Sequence, residues 1–567
     1  METIQDDIQK LGIKTIELQY LDPTGEVHSM ILNATKIKKL PNGNYDFVPN
    51  EIKGTLDGSS IPGFQNIDKT GLEIVPGPRP RIYVDPTDAT RLIVMGNTKE
   101  PNGPLYAKDP RNQAIIAEKW LESQTDLGLK AMRVGPEFEF FVFPKNVDPL
   151  ALNADNSAYH SSASDNPHQK FMEEYLLALQ AAGVDSRFFH SEVANYQEEI
   201  GVNCETLLRA ADNLIIQREI LKKLAKKHHV TVCWEPKLLN AYGETIKQRG
   251  KTSSINGNGL HTNLSFDTSD ERNAFVTYDE KKPVTNELSD DANLCIAGLL
   301  KHANALQVIF NPSTISGARL GMGESPKFII AGRDNRSAMI RIVTVPEGEE
   351  FKTRIELRAA DSMLCPHTWF AAAQMAMIDA IKQGRKMSRE LRIKNGLVPK
   401  IINENFYEMS EKKRQDLSLL ELHTGPDILS KSVESLKNDH QYLLAKNGPF
   451  GENFDEVMAP YIETIVKKDI DREISRSSTH EKWKKEQSET PVAIQLKRNE
   501  LIRRSNELKA IELRILAKKQ SEQVQSEASK SLTLNQSQDS QHHFFKKPVY
   551  MNIVKEEEAK KVRNINP

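Results

Sequence analysis

Residues 134–143 read VGPEFEFFVF, and this segment constrains the fold more than any other part of the sequence. Its apolar run is typical of a buried β-strand, yet it carries two glutamates two positions apart. Because strand side chains alternate between faces, Glu137 and Glu139 share one face, while Phe138 and Phe140 share the other. A half-solvated strand would explain this pattern by itself. The alternative, a carboxylate-lined cavity, therefore depends on the other segments of the chain.

The composition is that of a globular chain with more than one domain: 567 residues, 38% hydrophobic and 27% charged, with a net charge of -2. A charge this close to zero argues against binding to nucleic acid or to an anionic membrane surface. No apolar run is long enough for a membrane-spanning helix, and the N-terminal METIQDDIQKLG lacks the apolar core of a secretory signal. The four cysteines form no C-x-x-C pair, which predicts a reducing, cytoplasmic location.

Changes of pattern predict three parts: a β-rich domain over residues 1–105, a mixed α+β domain over 113–475 and a charged extension over 476–567. In the first part, IELQYLDPTGEV predicts a hairpin because DPTG supplies a turn between two strand-like runs. In the second part, apolar spacing and helix-stop residues predict helices over 113–131, 168–183, 207–229 and 295–310.

The extension differs from the rest of the chain because its apolar residues are sparse. Ile494, Leu501, Leu508 and Ile515 recur every seven residues, which predicts one amphipathic helix. We expect it to be a solvated charged helix rather than a docking element. The segment 521–543 is polar and rich in Ser and Gln, and it is predicted to be disordered.

Four more segments combine strand-like alternation with ionisable side chains: FFHSEVANYQEEIG (188–201, with Glu192 and Glu199), NGNGLHTNLSF (256–266, with His261, Asn263 and Ser265 on one face), GRDNRSAMIRI (332–342, with Arg336 and Arg341) and RIELRAAD (354–361, with Arg354, Glu356 and Arg358 on one face). If these faces converge with Glu137 and Glu139, the buried charges must pair with one another or bind metal.

Such a site indicates a particular chemistry. Carboxylates with a single histidine suit Mg²⁺ or Mn²⁺ better than zinc. Two divalent ions together with arginines are typical of phosphoryl transfer. No common nucleotide motif accompanies the site, because QRGKTSS (248–254) resembles the end of a P-loop but Thr245 stands where the first glycine is needed.

Eight segments between residues 10 and 475 also occur in an order that is familiar: LDGSSIPGF (56–64), GPEFEFFVF, HSEVANYQEEI, WEPKL, NGNGLHTNLS, ARLGMGESP, NRSAMIRI and RIELRAAD. In these segments the chain resembles the glutamine synthetase family of the large bacterial and archaeal type. The resemblance implies an α+β fold, with an N-terminal β-grasp-like domain followed by a catalytic domain. In that domain an antiparallel sheet, flanked by helices, would form a half-barrel active site. It also implies a homo-oligomer, a hexameric ring or a dodecamer, with active sites between subunits.

The resemblance assigns two metal sites, each to three residues: Glu139, Glu192 and Glu199 for one ion, and Glu137, His261 and Glu356 for the other. The ions would be Mg²⁺ or Mn²⁺, two or more in each active site. ATP would be a substrate, with its phosphates and those of the intermediate contacted by Arg336, Arg341 and Arg358, and with Ser265 near the nucleotide.

The other substrates have implied sites as well. Arg319 would bind the α-carboxylate of glutamate, with Asn256 and the backbone of Gly257 nearby. The ammonium site would comprise Asp57 and Ser60 from a neighbouring subunit together with Tyr159 and Glu192, and Glu324 would be the flap glutamate that closes the site.

The implied activity is ATP-dependent ligation of ammonia to the γ-carboxylate of L-glutamate through γ-glutamyl phosphate, which gives glutamine, ADP and phosphate. Two alternatives remain: a γ-glutamyl ligase that uses an organic amine, and a catalytically silent structural or regulatory relative. The chain departs from the family pattern at Ser191, Tyr196, Asn263, the flap segment before Glu324, and residues 365–367. These departures bear on nucleotide preference and flap motion.

Overall fold

The computed structural model describes residues 12–34, 52–69, 71–145, 156–238 and 255–487, with side chains described as far as residue 472. The P-loop-like segment 248–254, the apolar stripe from Ile494 to Ile515 and the segment 521–543 lie outside these residues, so the predictions made for them stay predictions.

Strands occupy both the N-terminal and the central part of the chain. The strands are β1 (Thr15–Leu21), β2 (Val27–Asn33), β3 (Gly54–Leu56), β4 (Leu72–Val75), β5 (Arg81–Val84), β6 (Arg91–Met95), β7 (Asn97–Lys99), β8 (Leu129–Pro144), β9 (Ser186–Ser191), β10 (Gln197–Val202), β11 (Glu205–Thr206), β12 (Val230–Cys233), β13 (Leu260–Thr268), β14 (Val276–Asp279), β15 (Lys282–Leu288), β16 (Ala331–Arg333), β17 (Ile340–Ile342) and β18 (Ile355–Leu357).

Among the described residues, the α-helices follow the N-terminal strands. The helices are α1 (Pro110–Ser123), α2 (Gln169–Ala181), α3 (Leu207–His228), α4 (Asp290–Lys301), α5 (Ala303–Phe310), α6 (Ser316–Arg319), α7 (Pro366–Gly384), α8 (Arg389–Lys394), α9 (Glu411–Asp416), α10 (Ile428–Asn438) and α11 (Phe454–Gln487). None of the helices described here has both the length and the apolar character needed to cross a membrane.

The N-terminal strands form two small sheets, one of four strands in the order β2-β1-β6-β5 and one of three in the order β3-β4-β7. The predicted hairpin is confirmed, because β1 and β2 pair antiparallel along their whole length. The turn is held by the Asp22 carboxylate, which accepts hydrogen bonds from the backbone N–H groups of Thr24 (2.8 Å) and Glu26 (3.0 Å). Gly25 adopts a φ of +83°, a conformation that favours glycine.

β8 is the central strand of the sheet that carries the candidate site. The strand order is β16-β17-β18-β13-β8-β10-β9, and the short strands β11 and β12 pair with the two ends of β8. Every neighbouring pair is antiparallel except β16 and β17. The sheet is open, and helices flank it, so the predicted α+β class is confirmed.

Helices cover the face of this sheet that bears the phenylalanines. Phe138 and Phe140 are fully buried. The Phe140 ring packs edge-on against Tyr175 of α2 at a centroid distance of 5.8 Å, and the Phe138 ring lies 6.2 Å from that of Trp234. Burial of these rings draws one face of β8 into the core. Glu137 and Glu139 consequently lie on the opposite face, as the alternation predicts.

Two helix predictions are wrong in their extent. The helix predicted over 113–131 ends at Ser123, where Gln124 leaves the helical conformation; the short 3-10 helix Thr125–Leu127 follows, and Gly128, with a φ of +63°, ends it before β8. The helix predicted over 295–310 is two helices, α4 and α5, with His302 between them. The His302 Nδ1 atom lies 2.8 Å from the Asp439 carboxylate, and its ring stacks on Tyr442 at 3.9 Å. These tertiary contacts hold the break, and they leave no trace in the local apolar spacing.

A carboxylate-rich candidate active site

The ionisable side chains on the face of β8 that bears Glu137 and Glu139 meet partners directly across the strands. Glu137 is opposite His261 of β13, and Glu139 is opposite Glu199 of β10. Glu199 is in turn opposite His190 of β9. Directly opposed residues of an antiparallel pair have Cβ atoms about 5 Å apart. The strand register therefore brings groups from four strands together in one row.

Glu356 joins this row from β18, where it is opposite Asn263 on one side and Arg341 on the other. Glu192 follows the last residue of β9 and donates its backbone N–H to Gln197 O at 2.7 Å. His261 lies between the carboxylates: its Nδ1 atom is 3.3 Å from Glu137, 3.7 Å from Glu356 and 3.8 Å from Glu139.

Three groups of side chains in this row place their ligand atoms within 4.8 Å of one another: Glu137, His261 and Glu356; Glu139, Glu199 and His261; and His190, Glu192 and Glu199. The first group is the second metal set that the resemblance implies. The members of the other implied set, Glu139, Glu192 and Glu199, are divided between the two remaining groups, each of which includes a histidine. Oxygen and imidazole donors of this kind fit Mg²⁺ or Mn²⁺.

The electrostatics of the row show an excess of negative charge. Burial, together with the nearby charges of Glu192 and Glu199, raises the pKa of Glu139 well above its usual value. Burial and the charge of Glu199 raise the pKa of Glu192 to about 6. Burial works against a charged His190, but its hydrogen bond to Glu199 and the charge of that group raise its pKa to about 9. Like charges in one desolvated place disfavour one another, and bound cations would relieve this repulsion.

Arginines form the opposite wall. Arg341 donates to the Glu356 carboxylate at 2.9 Å, and Arg358 binds its other oxygen. Arg358 also lies 3.3 Å from Glu324, and Arg336 lies 3.7 Å from the same carboxylate oxygen. Guanidinium groups aimed at one cavity are suited to phosphate oxygens, which they bind with paired hydrogen bonds.

The glycine-rich segment 256–259 closes one side of the cavity. The Gly259 N–H donates to the Glu139 carboxylate at 2.9 Å. A Cβ at this position would lie 2.7 Å from the Arg319 guanidinium, so glycine is required for the close approach. Arg319 is buried and donates to the carbonyl oxygens of Arg358 and Ala359, both at 3.0 Å, which fixes its guanidinium at the cavity wall.

Most of the residues expected in the site line this one cavity, whose volume is about 510 Å³: Glu137, Glu139, Tyr159, Glu192, Glu199, Asn256, Gly257, His261, Arg319, Glu324, Arg336, Arg341, Glu356 and Arg358. The cavity is large enough for a small-molecule ligand. Six glutamates and four arginines are among its lining residues, which agrees with the negative excess.

Three expected residues lie elsewhere in the chain. The Asp57 carboxylate accepts from the N–H and hydroxyl of Ser59 and from the Ser60 hydroxyl, and it caps the short 3-10 helix Gly58–Ser60. Neither Asp57 nor Ser60 lines the cavity. Ser265 is on β13 opposite Arg133, beyond Asn263, and it does not line the cavity either.

Sequence reasoning missed two residues that the fold adds to the site. His190 stands two positions before Glu192, and its alternation with Glu192 was the signal that should have included it. Gln197 stands two positions before Glu199. Its side-chain amide donates to Glu139 (3.1 Å) and to Asn258 (3.0 Å), so it joins β8 to the glycine-rich segment.

Two departures from the family pattern, Asn263 and His367, have structural explanations, and the structure gives none for the third, Tyr196. Asn263 donates to Glu137 at 2.9 Å and accepts from Arg354 at 2.9 Å, so it orients a candidate metal ligand. Tyr196, at a position where glycine is usual, has a φ of +68°, a conformation that L side chains rarely adopt. His367 lies 2.9 Å from Asp212 in the core, away from the site.

Comparison with known proteins agrees with this geometry. The family described as glutamine synthetase, catalytic domain, matches residues 107–464. The chain is 31% identical to the glutamine synthetase of Thermococcus kodakarensis over 421 residues, 73% of this chain and 85% of the relative. It is 29% identical to that of Halobacterium salinarum over 445 residues, 77% of this chain and 87% of the relative.

Solved structures share the fold. An electron cryo-microscopy structure of Plasmodium falciparum glutamine synthetase superposes with a TM-score of 0.63 at 20% identity, over 84% of this chain and 98% of the other. A ligand-free GmaS structure superposes with a TM-score of 0.65 at 19% identity, over 84% of this chain and 97% of the other.

Proposed function

The chain belongs to the glutamine synthetase family, and from that premise we propose that it ligates ammonia to the γ-carboxylate of L-glutamate with ATP as the energy source. The γ-phosphoryl group of ATP is transferred to the γ-carboxylate, which gives ADP and γ-glutamyl phosphate. Ammonia then attacks the acyl carbon, phosphate leaves, and glutamine is released. Phosphorylation replaces a poor leaving oxygen with a good one.

One observation carries the proposal: carboxylates from three strands, β8, β10 and β18, together with Glu192 just after β9, meet across a cavity from arginines. We assign Glu137, His261 and Glu356 to one Mg²⁺ or Mn²⁺ ion, and Glu139, Glu192 and Glu199 to another. The raised pKa of Glu139 and the excess of carboxylates support cation binding here. When bound, divalent ions would neutralise phosphate oxygens and favour in-line transfer.

The protein's own residues take the remaining roles. Arg319, held rigidly by two carbonyl oxygens, binds the α-carboxylate of glutamate, with Asn256 and Gly257 beside it. Arg336, Arg341 and Arg358 stabilise charge on the transferred phosphoryl group, because guanidinium groups can make paired hydrogen bonds to it. We further propose that Ser265 approaches the nucleotide from the far end of β13.

We propose that two neighbouring subunits together form the binding site for the nucleophile. Tyr159 and Glu192 line the cavity, and Glu324 closes it through its contacts with Arg336 and Arg358. Asp57 and Ser60, in the proposed domain of residues 1–105, come from a neighbouring subunit of a ring. Glu324 and Asp57 favour ammonium by charge and accept its proton before attack. The four free cysteines of the chain support a reducing compartment, which we assign to the cytoplasm.

An organic amine is the second candidate nucleophile. GmaS, a γ-glutamylmethylamide synthetase, shares the fold. In this chain the half-exposed ring of Tyr159 packs at a tilt of 37° against His160, with a centroid distance of 4.3 Å, and His160 packs in the same way on His190 at 4.4 Å. This row of rings would accommodate an alkyl group beside the ammonium nitrogen.

The test measures phosphate release from ATP by the full chain with Mg²⁺ and glutamate, and identifies the product by mass spectrometry. Ammonium, methylamine, ethylamine and a polyamine are compared as nucleophiles. We expect release to depend on ammonium, with glutamine as product. A product that contains the amine, formed in preference to glutamine, would instead support the second candidate.

Two variants make the result specific. Glu356→Ala should abolish turnover, whereas Glu390→Ala, an exposed glutamate outside the cavity, should not change it. Near-normal activity of Glu356→Ala would refute the metal assignment. A folded protein that shows no turnover with any nucleophile would support the silent relative.

A further inference from the structure

We propose that a second cavity, of about 380 Å³, is a binding site for a small organic carboxylate. It lies between the β1–β2 turn, α3 and α11, and it shares no lining residue with the carboxylate-rich cavity. Arg218 of α3, Tyr461 of α11 and Trp234 after β12 are among the residues that line it. No role in the ligation reaction has been assigned to any of them.

Arg218 is the first reason for expecting an anion. Its side chain is 7% exposed, and its Nη2 group donates to the carbonyl oxygens of Ser362 (2.8 Å) and Leu364 (3.0 Å). Within the part of the chain that the structure describes, no carboxylate forms an ion pair with it and its Nε atom has no hydrogen-bond partner. Burial lowers its pKa to about 10, so it is still charged at neutral pH. A buried cation without a counterion is costly, and an anion would compensate it.

Tyr461 supplies a second donor at the same cavity. Its side chain is almost completely buried, and its hydroxyl has no hydrogen-bond partner among the described residues. A buried hydroxyl without a partner is destabilising, and such groups in folded proteins are nearly always satisfied. A ligand carboxylate that accepts from the Tyr461 hydroxyl and from Arg218, after a small shift of these side chains, would satisfy both.

The other charges around the cavity do not compete for these donors. Glu219 is paired with Lys222 at 2.7 Å, and Glu26 is paired with Lys468 at 3.0 Å. The carboxylates that line the cavity each have an ammonium partner within 3.0 Å, whereas Arg218 has Glu219 and Asp361 only as nearby charges and forms no ion pair among the described residues. This balance favours an anionic ligand over a cationic one.

The apolar residues that line the rest of the cavity favour an organic ligand over an inorganic ion. The indole of Trp234 and the aliphatic side chains of Ile215 and Ile465 line the same space. A cavity of this size is much larger than phosphate and lies within the range of small-molecule sites. A carboxylate at Arg218 with an aromatic or branched apolar body beside Trp234 would use both kinds of wall.

The test is isothermal titration calorimetry of the full chain with 4-bromobenzoate, acetate and inorganic phosphate, in the presence of saturating ATP and glutamate. We expect 4-bromobenzoate to bind once per chain, at least about tenfold more tightly than acetate, because only the first has an apolar body. In crystals, its bromine should give an anomalous peak between Arg218 and Trp234.

Variants locate the binding to this cavity. Ile465→Phe fills the space without removing a charge and should abolish binding. Arg218→Met should weaken it at least about tenfold, through loss of the guanidinium partner. Arg389→Met makes the same substitution at an exposed arginine of α8 and should leave binding unchanged. If Arg218→Met does not fold, Tyr461→Phe replaces it, because this change removes only the hydroxyl that has no partner.

Four results would overturn the proposal. The first is no saturable binding of 4-bromobenzoate, and the second is binding that persists undiminished in folded Ile465→Phe. The third is phosphate binding more tightly than 4-bromobenzoate. A bromine peak in the carboxylate-rich cavity would also overturn it. None of these outcomes depends on whether ammonia or an amine is the nucleophile.

Discussion

Two clusters of buried charge in this protein differ in their balance. One joins α1, α3 and α7: Arg111 binds both oxygens of Asp212 at 2.9 Å, and His367 lies 2.9 Å from the same carboxylate. The other is the carboxylate row on β8 and its neighbours. In the first cluster the charges are paired within the chain, and the Arg111 guanidinium holds the pKa of Asp212 well below its usual range despite burial. In the second, burial and neighbouring carboxylates raise the pKa of Glu139 instead.

The difference separates a structural role from a functional one. Arg111 also donates to Asn97 at 2.7 Å, so the first cluster ties three helices to the N-terminal strands and needs nothing from outside. The carboxylate row has an excess of acidic groups, whose charge is neutralised either by protonation, as the raised pKa of Glu139 indicates, or by bound cations. Both clusters contain desolvated charged groups. Only the carboxylate row, whose charges are not all paired within the chain, indicates a ligand.

The largest expected effect comes from Glu139→Gln, which removes a charge from the unbalanced cluster. We expect ligation to fall by at least about 10³-fold, because a metal ligand at the phosphate is lost. We also expect the melting temperature without divalent metal to rise, since a neutral amide avoids both burial of a carboxylate and repulsion from Glu192 and Glu199. Glutamine formation with Mg²⁺ and calorimetry after EDTA treatment measure the two effects.

Glu390→Gln, at an exposed site on α8, serves as the control and should change neither quantity. A lower melting temperature of metal-free Glu139→Gln would contradict the conclusion that the row is unbalanced.

The balanced cluster should respond in the opposite way. Asp212→Asn leaves a buried guanidinium without its counterion, and we expect the free energy of unfolding to fall by about 3–5 kcal/mol. Activity per folded molecule should be unchanged, since no atom of this cluster reaches the cavity. Urea denaturation and active-site-normalised rates measure these quantities. A loss below about 1 kcal/mol would mean that the pair contributes no more than a surface ion pair.

A third charged cluster, formed by His302, Asp379 and Asp439, should give the smallest change in the free energy of unfolding. Burial opposes a charged His302, but hydrogen bonds and charges from Asp379 and Asp439 raise its pKa above the usual value. A raised folded-state pKa stabilises the fold fully below the unfolded value of about 6.5, and this stabilisation is lost as the pH rises through the folded value. We expect His302→Gln to cost about 1–2 kcal/mol near pH 6 and less near pH 9.

Urea denaturation of His302→Gln and of the parent protein near pH 6 and near pH 9 tests whether the loss of stability is larger at the lower pH. A cost that is larger near pH 9 would contradict it. Asn304→Gln, in α5 two residues after His302, is the control, because it replaces a side chain that does not titrate.

Alternation and strand register explain how much of the site the sequence predicts. The i, i+2 spacing of Glu137 and Glu139 fixes their common face, and the same rule applies to His261 and Asn263 and to Glu356 and Arg358. Which strands lie side by side is not local information. The pairing of Glu199 with His190, which brings a second histidine into the row, follows from the β9–β10 register, although the alternation of His190 with Glu192 is a local signal for it.

The remaining errors have the same origin. The helix break at His302 depends on Asp439 and Tyr442, which are distant in the sequence. His367 is explained by Asp212, a partner on another helix. Asp57 is not among these errors: it is predicted to act in the site of a neighbouring subunit, which stays a prediction, and within its own chain it caps a short helix. The local sequence pattern predicts helices, strands and the face on which each side chain lies. Contacts between side chains of different elements can be read only from the folded structure.

The position of Asp57 and Ser60 outside the cavity of their own chain has a genetic consequence. If each site combines these residues with the carboxylate row of a neighbour, a chain defective in one part can still supply the other. Two inactive alleles, Asp57→Ala and Glu356→Ala, would then complement each other when co-expressed. Random mixing in a closed ring would leave roughly one quarter of the interfaces with both parts intact. Either allele mixed equally with the wild-type chain would leave about one half of the interfaces intact, so neither would be dominant-negative.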